Sequence, residues 1–181
     1  MKTLVKRLHT VLPSVKDWID RTLQAHASSA TPVSNVPFLR LQSHYPDTLL
    51  ARARVVVVPR VPFPPVSQLG LPEFRAMEMM SLAGVTYKDT FFVCDGQQRD
   101  SLFFHELVHV VQWDRLGVDN FLLAYAVGLL QYGYEQSPLE QMAFELQARF
   151  DQQRVLENLV EFIEVRTDDV RETARRFLGS G

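Results

Sequence analysis

The stretch "DSLFFHELVHVVQWDRLG", residues 100–117, holds two histidines four apart within an apolar run that ends at a glycine. On a helix such residues share one face about a turn apart, so His105 and His109 are placed to hold one metal ion together. Glu106 is one step further round, within reach of a water on that metal without binding it. H-E-x-x-H thus combines two neutral imidazole ligands with a carboxylate that takes a proton. Zinc in such a site lowers the pKa of its water to roughly 7. The competing reading is an amphipathic helix that contains two histidines by chance. A chance H-E-x-x-H is expected in on the order of one such sequence in a hundred. Leu107, Val108, Val110 and Val111 would bury the helix and keep a metal pocket dry.

The flanks predict the setting. Asp100 or Ser101 caps this helix and Gly117 stops it. Upstream, "RARVVVVP" (52–59) predicts a strand buried on both faces, and "PRVPFPPV" (59–66) an extended loop. A short helix through "PEFRAMEMMSLAG", closed by Gly84, leads to a second strand region at 85–96 with a turn at Asp95-Gly96. Downstream, "FLLAYAVGLLQYGY" reads as a buried helix, too short to span a bilayer. Ser137 and Pro138 open a long helix to about Glu164, and "TDDVRETARRFL" forms a last short one. Few strands followed by several helices predict an α+β fold, a small sheet packed on helices with the histidine motif on a central one.

At 181 residues the chain fits one compact unit, and 46% hydrophobic with 22% charged residues is ordinary globular composition. A net charge of -2 argues against a nucleic-acid partner. The single cysteine, Cys94, excludes an internal disulfide framework. Leu4, Leu8, Val11, Val15 and Trp18 give the N-terminal segment an amphipathic helical stripe that Pro13 would split. The expected organisation is an N-terminal helix (1–26), a linker (27–37) and a catalytic domain (38–181). No secretory signal pattern stands out, so a cytoplasmic location is expected. Packing of the N-terminal helix on the domain is the simplest reading; a peripheral membrane or protein contact through the apolar helices is the other.

With "HELVH", the strand before it and an acidic helix after it, the chain resembles the zincin metallopeptidases over roughly residues 85–150. The resemblance implies a zincin-like fold, bound Zn2+, and hydrolysis of a peptide or protein substrate with Glu106 as general base, the extended substrate being held by strand addition at the sheet edge near residues 90–94. The metzincin branch would place glycine at 112 and histidine at 115, where this chain has Gln112 and Arg115. A gluzincin takes its third ligand from a later glutamate, for which Glu135, Glu140 and Glu145 are available. "PLEQMA" looks like the E-x-x-A pattern of small bacterial gluzincin-type peptidases, which implies His105, His109 and Glu140 as metal ligands. Ser137-Pro-Leu-Glu140 is equally a capping box that needs no metal. Peptide deformylases offer a second resemblance, through Cys94, but their E-G-C-L-S context and glycine-rich segment are missing here. Tyr87, Tyr125, Tyr132 and Tyr134 are candidate oxyanion donors. Asp114 and Asp119 are candidate partners for the histidines' outer nitrogens. The alternative to an enzyme is a binding or scaffolding module that uses the apolar helix 119–134.

Overall fold

A computed structural model describes residues 2–154 and 156–179. The valine run becomes β2 (Arg54–Val58), and the 85–96 region becomes a hairpin of β3 (Gly84–Tyr87) and β4 (Thr90–Cys94). The two-residue connection is achieved with Lys88 at φ 59°, a left-handed conformation without the usual Asn-Gly signature. Thr31–Pro32 adds β1, so part of the expected linker is an edge strand. The sheet order is β1-β2-β4-β3, with β2 and β4 parallel and the outer pairs antiparallel. Residues 90–94, expected at an edge open to substrate, are therefore interior. The free edge beside the histidine motif belongs to β3. On β2, Val55, Val56 and Val58 are buried, whereas Val57 remains 46% exposed.

Period-two alternation divides the core between the two faces of the sheet. Phe91 and Val93 pack with Phe103, Phe104 and Leu107 on one face. Phe92 turns to the other, with Val56, Val58 and the N-terminal helix residues Val15 and Ile19. That helix, α1 (Lys2–His26), runs unbroken through Pro13. The connection after β1 contains two short helices, α2 (Leu39–Gln42) and α3 (Asp47–Arg52). A proline-rich segment follows β2, irregular as expected, and ends in α4 (Arg75–Glu78). The helix expected to close at Gly84 stops six residues earlier, because Gly84 is already in the hairpin.

The motif helix α5 (Asp100–Tyr132) is fully buried from Leu102 to Trp113. Arg99, not Asp100 or Ser101, is its N-cap. Gly117 bends it sharply at φ 69°, ψ 168°, which a residue with a Cβ reaches only under strain. The turn lets the second half of the helix fold back, and Trp113 stacks on Phe121 across the bend at 3.9 Å between centroids. Helix α6 (Pro138–Asp151) is shorter than expected, and α7 (Leu159–Gly179) absorbs both the remainder and the anticipated last helix. Gln153 at φ 57° reverses the chain between them. The break follows from packing, since Leu159 and Ile163 reach the same core as α6 only if the helix turns back.

Candidate metal centre

The full burial of α5 from Leu102 to Trp113 leaves the polar side chains of that stretch dependent on one another. His105, His109 and Glu140 are all buried, with one ligating atom from each lying within 4.8 Å of the others. The two imidazoles face each other through Nε2 at 3.1 Å. Glu140, from the first turn of α6, approaches them at 3.5 Å and 3.4 Å.

Glutamine side chains define the tautomers. Gln147 Nε2 donates to Ser101 Oγ, so its Oε1 accepts from His105 Nδ1 at 3.0 Å. Gln112 Nε2 donates to the Leu139 carbonyl, and its Oε1 accepts from His109 Nδ1 at 2.8 Å. Both Nδ1 atoms thus carry hydrogen, which leaves the two Nε2 atoms as the ones available to a metal. Two imidazole nitrogens and a carboxylate converging in a buried pocket form a group that could hold a metal ion. Glu140 Oε2 supports this fit, for it is buried with no hydrogen-bond partner. Glu140 Oε1 accepts from the Tyr125 hydroxyl at 2.7 Å. In the metal-free protein, burial works against a charged His109, but the Glu140 and Glu106 carboxylates outweigh it and push its pKa up to about 9. Burial likewise opposes ionisation of Glu140, and the two histidines overcome it, holding its carboxyl well below the usual range.

The capping-box alternative does not describe Glu140. Ser137 is the N-cap, but its side chain makes no cap bond and its Oγ is buried without a partner. Its N–H donates to the Tyr134 carbonyl, leaving the reciprocal half of the box unmade as well. The other glutamates are elsewhere: Glu135 is exposed and Glu145 pairs with Arg166 at 2.9 Å. Cys94 donates to the Leu82 carbonyl and is outside the group.

Glu106 lies beside the group on the β3 side. Thr86 Oγ1 donates to its Oε2 at 2.6 Å. Gly84 leaves room for the same carboxylate, since a Cβ there would stand 2.3 Å from Glu106 Oε1. Burial raises the Glu106 pKa above its ordinary value, although both histidines and the Thr86 hydroxyl pull it down. A carboxylate raised in this way is suited to accepting a proton near neutrality.

Asp114 and Asp119, the expected partners of the histidines, instead form ion pairs with Arg52 and Lys16. The glutamines that take this role were legible as positions on the right faces, Gln112 three residues after His109 and Gln147 seven after Glu140. Of the tyrosines, Tyr125 and Tyr134 reach the site, both interacting with Glu140. Tyr87 is committed to the Pro62 carbonyl and Tyr132 is exposed. Replacing Gln147 by leucine is expected to weaken divalent-metal affinity about 10- to 100-fold, because His105 loses the acceptor that fixes its tautomer. Competition titration against a chelator measures it; unchanged affinity would remove Gln147 from the site.

Among the described residues no helix is long and apolar enough to cross a membrane. Comparison with protein-family models, curated proteins and solved structures finds no match.

Proposed function

We propose that this protein is a zinc-dependent hydrolase of peptide-type amide bonds, with His105, His109 and Glu140 as ligands and Glu106 as general base. The observation that carries this reading is the position of Glu106. It is excluded from the ligand group yet adjacent to it, and is held by β3 through Thr86 and Gly84. Zinc, chosen because two imidazoles and one carboxylate with a place left for water are its hydrolytic ligand set, would activate that water and polarise the substrate carbonyl. The chain's own part is to orient the ligands through Gln112, Gln147 and Tyr125, to move a proton through Glu106, and to exclude bulk water. Cys94 N–H donates to the Ala83 carbonyl, so antiparallel alternation turns the Gly84 and Thr86 backbone groups away from β4, toward the free edge. That edge would hold the substrate amide by main-chain pairing.

The deciding experiment is zinc analysis of purified protein followed by cleavage of a broad peptide and amide library. One equivalent of zinc with Glu106-dependent cleavage supports the reading. Zinc without any such cleavage favours a non-catalytic binding module.

Gly84 gives a sharper check of the base. Gly84→Ala is expected to lower turnover about 100-fold with zinc content unchanged, since the added Cβ must displace the Glu106 carboxylate. The strand backbone accepts alanine, so a folded, zinc-loaded variant with near wild-type turnover would count against Glu106 acting from this position.

A further inference from the structure

The metal group opens into a chamber whose other walls are almost entirely apolar. Val11, Leu12 and Val15 of α1 face Leu123 and Ala126 of the returning half of α5, and Phe63 of the proline-rich segment contributes to the lining. The polar side chains in the lining already serve one another. Thr86 is spent on Glu106, Tyr87 on the Pro62 carbonyl, and Trp113 on the Thr86 carbonyl at 3.1 Å. Tyr125 bonds to Glu140, and Tyr134 interacts with the same carboxylate. Among the described residues no lysine or arginine lines the chamber, and the only acidic groups are Glu106 and Glu140.

A polypeptide threaded through this space would bury an amide N–H and C=O at each residue with nothing to meet them, at a cost of roughly 1–3 kcal/mol for each group left unpaired. The edge of β3 relieves this only next to the metal group. There Gly84 keeps both backbone groups free, but the Thr86 carbonyl is already taken by Trp113. The arrangement accommodates one polar amide at the metal and a chain without polar groups beyond it.

We propose that the bond opened at this site joins a long linear acyl chain to an amine, with the chain lying in the chamber. This rests on the hydrolase reading and specifies its substrate class. Water gives its hydroxyl to the acyl carbon and its proton, through Glu106, to the leaving nitrogen. The C–N bond breaks, leaving a carboxylic acid and an amine, which exchange a proton to become carboxylate and ammonium.

The test uses the zinc-loaded full chain with N-acylglycines from four to twelve carbons, beside unacylated peptides. Each methylene buried is expected to raise kcat/KM by up to about threefold to fourfold, until the chain outgrows the chamber. Ala126→Phe narrows the space and is expected to shorten the optimal chain. A second readout, calorimetric titration of butanamide through dodecanamide into metal-free protein, needs neither catalysis nor a variant; affinity is expected to rise with chain length. If zinc binds and Glu106-dependent cleavage occurs, but dodecanoylglycine is no better than butanoylglycine, the acyl-chain assignment is overturned and the hydrolase reading stands. If no zinc binds, the hydrolase reading fails, and a flat amide series would overturn the chamber's ligand class independently.

Discussion

Glu106→Gln is expected to lower turnover by roughly 10²- to 10⁴-fold while zinc remains at one equivalent. The substitution keeps the shape of the side chain, so the contact with Gly84 and the hydrogen bond from Thr86 Oγ1 both survive through the amide oxygen. It removes the capacity to take a proton. Because Glu106 lies outside the ligand group, metal binding has no reason to change. It also removes a raised-pKa carboxyl from a buried position, so thermal stability should not fall by more than a buried polar substitution ordinarily costs. The measurement is kcat on the best library substrate together with metal content and a melting curve. Turnover within fivefold of wild type in a zinc-loaded Gln variant would exclude Glu106 as the base. Loss of zinc would mean that the carboxylate is itself a ligand.

Much of this site could be read along the chain because its pieces are local. Two histidines and a glutamate within one helical turn report their own geometry through the 3.6-residue period. The bend at Gly117 was legible as a helix end for the same reason, although the chain resumes a helix at once and returns to the core at Phe121. What escaped depends on long-range packing. Whether Glu140 faces the histidines or its own N-cap is settled by how α6 lies on α5, and no local signal separates the two, since the capping sequence and the ligand sequence coincide. The edge strand was misplaced because order within a sheet is a tertiary property; β4 gains β2 as a parallel neighbour through a crossover of about thirty residues that carries no pairing signal. Gly84 was assigned to a helix end, where glycine is common, when its reason is the carboxylate of a residue twenty-two positions later. The break between α6 and α7 has a comparable origin, with Gln153 in a left-handed conformation that neither Gly nor Asn announces.

Glu140→Ala is expected to reduce zinc affinity by more than the roughly 10- to 100-fold that loss of an outer-shell partner costs, because it deletes the proposed third ligand and leaves the Tyr125 hydroxyl without its acceptor. The consequence for stability is specific. In the wild type, zinc at about a hundred times its dissociation constant adds close to 2.7 kcal/mol to the folded state by mass action. In the alanine variant the same zinc concentration should leave the melting temperature nearly unmoved. If Glu140 mattered only as a cap, the opposite pattern would follow. The metal-free protein would lose about 0.5–2 kcal/mol, and the zinc-induced rise in melting temperature would persist. The absence of any side-chain cap bond at Ser137 and the partnerless Glu140 Oε2 beside two inward-facing imidazoles favour the first pattern. Melting curves of both proteins with and without zinc separate them in one experiment. Wild-type zinc affinity in the alanine variant would remove Glu140 from the ligand set and return the site to two histidines, too few to hold zinc tightly in a folded hydrolase.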